Sequence, residues 1–168
     1  MNYSEAKPLA DAFVELIKPY CKRIEIAGSI RREKQYDIKD IEIVCIPDGL
    51  YLDQLFLLDT KKSFDKQQFQ YIKSGPKYKQ LIWNEKGVKI DLFICRDPNY
   101  WGMLYLIRTG SAGFSHWILT QWKIKTSGKC IDNVLHDAKG NKFPCKEEED
   151  VFKLLGIDYI EPTKRNYP

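Results

Sequence analysis

Histidine is scarce in this chain, with His116 and His136 the two examples among 168 residues. The five cysteines, Cys21, Cys45, Cys95, Cys130 and Cys145, are odd in number, scattered and without a CxxC pair. That pattern excludes the ligand spacings of a structural zinc site and a closed disulfide framework, leaving buried free thiols as the expectation. No window approaches the roughly 18 apolar residues of a membrane span. The opening stretch, MNYSEAKPLADAFVELIKPY, lacks the basic start and unbroken apolar run of a signal peptide. A soluble, intracellular (cytoplasmic) protein that does not enter membranes is expected. One-sided charge is missing too. Twenty-seven Lys and Arg against 23 Asp and Glu give +4, which permits nucleotide or nucleic-acid binding without requiring it. There are no internal repeats and no low-complexity stretch.

What is present suffices for a core. With 43% hydrophobic and 13% aromatic residues the chain is far from the composition of disordered sequences. Its length fits one domain of roughly 100 to 200 residues, or one with a small appendage.

Residues 5–18 set Ala6, Leu9, Ala10, Phe13, Val14, Leu16 and Ile17 at helical spacing, with Pro19 as the stop. Residues 23–27 alternate as a strand, break at Gly28-Ser29, and pass into a charged loop or short helix over 30–39. Residues 40–46, rich in β-branched types, form a strand ended by Pro47-Asp48-Gly49. A short helix is predicted over 50–58. Two more strands, 78–83 and 88–95, flank a hairpin-length loop at 84–87. Beyond Asp97-Pro98 the pattern turns helical over 100–108 and 114–123, which places a soft boundary near residue 99.

Side chains two apart on a strand share a face, so Asp40 and Glu42 project together. In the later strand Val88, Ile90, Leu92 and Ile94 fill one face and leave Asp91 on the other. Three carboxylates of this kind suit two hard cations about 3.5 to 4 Å apart, which can clamp the attacking and leaving oxygens of a phosphoryl displacement. An Asp-x-Glu pair alone is more often a solvated strand pair. Here Gly28-Ser29 ends the preceding strand, and a glycine turn with a hydroxyl supplies donors for phosphate oxygens. Arg31 and Arg32 follow with guanidinium forks matched to phosphate, although an Arg-Arg pair is as often simply a solvated loop.

Taken together, Gly28-Ser29-Ile30-Arg31-Arg32, Asp40-Ile41-Glu42 and Lys89-Ile90-Asp91-Leu92 resemble the catalytic palm of the family X DNA polymerases, the DNA polymerase beta type. Gly102-Met103-Leu104-Tyr105 and Arg108-Thr109-Gly110-Ser111 resemble the segment joining that palm to its thumb, and 148–162 resembles the end of the thumb. The resemblance implies an α+β fold: a nucleotidyltransferase palm over 1–98, with a mixed sheet and flanking helices, followed by a small, mostly helical thumb-like subdomain over 99–168. It implies Asp40, Glu42 and Asp91 as catalytic ligands of two magnesium ions, with manganese able to substitute. Ser29 and Arg32 would meet the β- and γ-phosphates of a nucleoside triphosphate beside Gly28, and Thr109 and Gly110 would line its sugar and base.

Two departures matter. Glu42 stands where these polymerases usually carry aspartate. The run Ala112 to Leu119 lacks the polar and basic groups with which the family's helix touches the nascent base pair. The segment before Gly28 is too short for the family's lyase domain and helix-hairpin-helix fingers, so a palm and thumb alone, a monomer binding DNA weakly and with strong salt dependence, is the expectation.

The leading reading is a minimal DNA polymerase adding deoxynucleotides to a primer 3′-hydroxyl in gap filling or repair. The alternative is a template-independent nucleotidyltransferase acting on RNA or a small molecule. A catalytically silent binding module is a third class, which three intact acidic positions disfavour. Trp101, Trp117 and Trp122 are expected in the core, and Lys77, Lys79, Lys123 and Lys125 on a solvated face.

Overall fold

Asn2 starts the first helix by accepting from Glu5 N at 2.9 Å, while Glu5 Oε2 accepts from Asn2 N at 2.9 Å, a reciprocal cap. In the computed structural model, which describes residues 1–49, 52 and 68–168, helix α1 then runs Tyr3–Ile17. Its buried stripe is Ala6, Ala10, Phe13 and Ile17. Pro19 sits in a 3₁₀ turn, Lys18–Tyr20, that delivers the chain to strand β1, Cys21–Ile26. A short helical turn α2, Gly28–Arg31, comes before β2, Ile41–Pro47. The helix predicted over 50–58 lies outside the described residues except for Leu52, which is fully buried.

Strands β3 (Phe69–Ser74), β4 (Tyr78–Trp83) and β5 (Val88–Ile94) complete a five-stranded sheet of order β1-β2-β5-β4-β3. Strand β3 lies at one edge of this sheet. The β2–β5 pair is parallel and the other pairs are antiparallel, so the sheet is mixed. One face is apolar: Ile41, Ile43 and Cys45 from β2, Ile90, Leu92 and Ile94 from β5, Leu81 and Trp83 from β4 and Phe69 from β3 pack with the α1 stripe. Side chains of the other parity, Glu42, Asp91, Gln80 and Tyr78, therefore belong to the opposite face.

The chain divides into two compact units, Met1–Arg96 and Asp97–Pro168. The second contains α3 (Trp101–Thr109), α4 (Ala112–Thr126), a small antiparallel sheet and α5 (Glu148–Leu155). The unit is mostly helical as expected, and the sheet, β6 (Lys129–Ile131), β7 (Val134–His136) and β8 (Lys142–Phe143), is an addition the sequence pattern did not indicate. Strands of two or three residues are too short to show an alternation in sequence. Met103, Leu106, Phe114, Ile118, Trp122, Val151 and Phe152 form the core of this unit. At its centre lies Arg165, with no exposed surface, whose Nη1 donates to Glu148 Oε1 at 2.6 Å.

Trp101 and Trp122 are buried, and Trp117 is half-buried with its ring centroid 5.4 Å from that of Tyr167. Lys77, Lys123 and Lys125 are exposed as expected, but Lys79 is buried. It has the inward parity of β4, and its ammonium reaches the turn at Ser74 Oγ (3.4 Å) and Gly75 O (3.3 Å). All five cysteines are free thiols. Among the described residues no helix is long and apolar enough to cross a membrane.

Candidate active site

Parallel pairing of β2 with β5 brings the starts of both strands to the same end of the sheet, and it sets Glu42 directly beside Asp91. Both have the parity that faces away from the apolar core. Asp40 was expected inside the strand but sits just ahead of it, since β2 begins at Ile41. Its position is nonetheless fixed, because Lys89 Nζ lies 2.8 Å from Asp40 Oδ2 and 3.7 Å from Asp91 Oδ2. Lys89 bridges these two acids. The hydrogen bond to Asp40, with both carboxylate charges adding to it, raises the lysine above its ordinary value.

The glycine of the Gly28-Ser29 turn is required for two separate reasons. Its φ of +59° is a left-handed conformation that side-chain-bearing residues avoid. A Cβ there would overlap Glu42 Oε2, so the turn packs directly on that carboxylate. Ala27 N donates to Glu42 O at 2.8 Å and ties the same turn to β2 by backbone. Ser29 is half-buried, and its hydroxyl receives Arg32 Nη2 at 3.2 Å. Burial lowers Arg32 from the usual arginine value, and the charge of Glu42 partly opposes that. Gly28, Ser29, Arg32 and Glu42 are therefore gathered at one place.

Asp91 is 8% exposed and held from β4. Tyr78 Oη donates to its Oδ1 at 2.6 Å and Gln80 Nε2 donates to the same oxygen at 2.8 Å. Tyr78, Gln80 and the bridging role of Lys89 were missed by sequence reasoning. Their only signal was shared parity within a predicted strand whose partner the sequence does not name.

Asp40, Glu42 and Asp91 are an all-oxygen donor set of the kind hard dications take. A cation, the Lys89 ammonium, already rests between two of them, so the chemistry of the cluster fits positive charge. Among the described residues no three Asp, Glu, His or Cys side chains are grouped as a ready-formed metal cage, and Asp40 and Asp91 are engaged by Lys89, Tyr78 and Gln80. Thr109 and Gly110 belong to the second unit. There Thr109 has no exposed surface, and Gly110 ends α3 by donating to Leu106 O at 3.0 Å.

Residues 103–166 match the family model of the DNA polymerase beta thumb. The chain is also 39% identical over 85 residues to DNA nucleotidylexotransferase of Xenopus laevis, a match covering 49% of this chain and 16% of that protein.

Proposed function

We propose that the chain is a metal-dependent nucleotidyltransferase with a polymerase beta-like palm in its first unit, adding deoxynucleotides to a DNA 3′-hydroxyl, a reading supported by the match of residues 103–166 to the DNA polymerase beta thumb. The observation that carries this reading is the pairing of Glu42 with Asp91 on parallel strands, with the Gly28-Ser29 turn packed against Glu42. Carboxylates, a glycine turn and an arginine in one place form a site for a triphosphate and its counter-cations.

In this reading Asp40, Glu42 and Asp91 hold two magnesium ions, for which manganese substitutes. Bound there, such ions supply charge neutralisation at the phosphates and lower the pKa of an attacking hydroxyl. Ser29 offers its hydroxyl, and Arg32 its guanidinium fork, to the β- and γ-phosphates. Asp91, nearest the acceptor, receives the 3′-hydroxyl proton or orients that hydroxyl. Lys89, 2.8 Å from Asp40 and 3.7 Å from Asp91, partly neutralises the acidic pair. Through the thumb resemblance Gly110 is assigned to the sugar and base of the nucleotide, whereas Thr109, with no exposed surface, packs behind it. Through the family resemblance this reading extends to gap filling in DNA repair by a monomeric, intracellular enzyme.

A second reading, untemplated addition to an end, is favoured by the match to a nucleotidylexotransferase and by the run Ala112 to Leu119, which departs from the base-pair-contacting helix of the template-directed family members. Primer extension by the full chain with magnesium or manganese separates the two. A gapped duplex is compared with a single strand and with an RNA end. Template-matched extension on the gap supports the polymerase, and equal addition to the single strand supports the second reading. An RNA-only product, or no incorporation on any acceptor, overturns the assignment to DNA.

A further inference from the structure

Asp91 shares β5 with one other charged side chain, Lys89, and its two oxygens are treated differently. Oδ1 accepts from Tyr78 Oη at 2.6 Å and from Gln80 Nε2 at 2.8 Å, while Oδ2 lies 3.7 Å from Lys89 Nζ. Gln80 Nε2 also donates to Tyr78 Oη at 2.9 Å, which closes a triangle of phenol, amide and carboxylate. The two acceptors of Gln80 Nε2 lie 2.6 Å apart, closer in direction than the two N–H bonds of an amide, so the amide side of the triangle is a shared hydrogen bond, and the phenol donates to the carboxylate. The triangle works with one amide orientation only, because the reversed amide would set its carbonyl oxygen against a carboxylate.

The backbone explains why these two residues reach. Gln80 is directly opposite Asp91 in the β4–β5 ladder, and Tyr78 is opposite Phe93. The Tyr78 ring stacks on Phe93, with centroids 5.1 Å apart and planes 25° from parallel, and Lys73 Nζ lies 5.8 Å from its centroid. The phenol is held by packing and so has little freedom to leave the carboxylate.

We infer that Tyr78 and Gln80 are positioning residues for Asp91: they occupy Oδ1 and fix the carboxyl plane so that Oδ2 is the oxygen presented to a divalent cation and to the acceptor hydroxyl. This rests on the functional reading above. Neither residue touches substrate in this account. Their effect passes through Asp91, as groups that hydrogen-bond a metal ligand typically change metal affinity or activity about 10- to 100-fold.

The test uses the full chain and Mn²⁺ alone as probe, with bound ion counted by electron paramagnetic resonance. The variants are Tyr78→Phe, Gln80→Met and the double substitution, each also in an Asp91→Ala background. Tyr78→Phe keeps the stacked ring and Gln80→Met keeps the side-chain length, so the fold is preserved, and thermal midpoints are recorded to check it. The expected result is Mn²⁺ affinity lowered about 10-fold or more in the double variant, nucleotide incorporation recovered at high Mn²⁺, and no further loss in the Asp91→Ala background. Wild-type affinity in the double variant overturns the inference and leaves the functional reading intact. The same fold-loss with and without Asp91 also overturns it, because the effect would then be general to the fold. A wild-type chain that binds no Mn²⁺ overturns the functional reading and this inference together.

Discussion

Lys89 donates to Asp40 at 2.8 Å while standing 3.7 Å from Asp91, so the cluster that the sequence marks out for cations already contains one. The two strands that create this arrangement run parallel, which is why residues 40 and 42 meet residues 89 and 91 at one end of the sheet. If a divalent ion is to be held there, Lys89 competes with it. Lys89→Met should therefore bind Mn²⁺ more tightly than the wild type. The lysine and Asp40 side chains are 40% and 26% exposed, so the pair contributes at most about 1 kcal/mol. That corresponds to a gain of up to about fivefold. Titration of Mn²⁺ checks it, and weaker binding in the variant would assign the lysine a supporting role instead of a competing one.

Gly28→Ala should damage both stability and nucleotide binding. The left-handed backbone costs a side-chain-bearing residue about 1–2 kcal/mol, and the new Cβ collides with Glu42 Oε2. Urea unfolding should show that loss at least, and the affinity for a deoxynucleoside triphosphate should fall along with it. Unchanged nucleotide affinity in a destabilised variant would separate the turn from the binding site.

The Arg165–Glu148 pair should be the most sensitive charge in the second unit. Arg165 has no exposed surface, and its guanidinium carbon lies 5.6, 5.5 and 5.2 Å from the ring centroids of Phe114, Phe152 and Tyr159. Removing one partner strands the other charge in an apolar setting, which costs about 3–5 kcal/mol. Glu148→Leu and Arg165→Met are each expected to lose that much in urea unfolding. The double substitution should recover most of it, and additive losses would contradict this reading.

Alkaline pH should weaken the second unit through its thiols. Burial pushes Cys130 up to about 11 and Cys145 up to about 12, against about 8.5 in an unfolded chain. Between those values the folded state holds protons that the unfolded state has released, so stability falls as pH rises. The contribution is intact below about pH 8.5 and is lost progressively toward 11 to 12. Unfolding midpoints at pH 8 and pH 10 should differ more in the wild type than in a Cys130→Ala/Cys145→Ala variant. Parallel declines would assign the pH dependence to other groups.

Legibility of the sequence followed the range of the interactions involved. The α1 stripe, the strand at 78–83 and the inward set Val88, Ile90, Leu92 and Ile94 are periodic patterns within one element, and the structure reproduces them except at Leu16, which lies off the buried stripe of α1 and is exposed. The parity argument placed Glu42 and Asp91 on the same side of the sheet. It could not reveal that β2 and β5 are neighbours and parallel, because pairing is a relation between segments nearly fifty residues apart. For the same reason Tyr78 and Gln80 were unremarked until β4 was seen beside β5. Lys79 ran against expectation because lysine usually stays in solvent, whereas here its stem has inward parity and its ammonium finds a turn hydroxyl and carbonyl. The three short strands of the second unit carry too few residues for any period to appear.

The most direct measurement is nucleotide incorporation into a primer by the full chain, with Asp40→Ala and Asp91→Ala alongside and thermal midpoints recorded for all three. Loss of charge stabilisation at a metal-assisted phosphoryl transfer is worth several kcal/mol, roughly a thousandfold in rate. The account expects incorporation by the wild type that depends on magnesium or manganese, and a loss of about that size in each folded variant. Wild-type rates in a folded Asp91→Ala variant would contradict it, and would move the chemistry away from the Glu42–Asp91 pair.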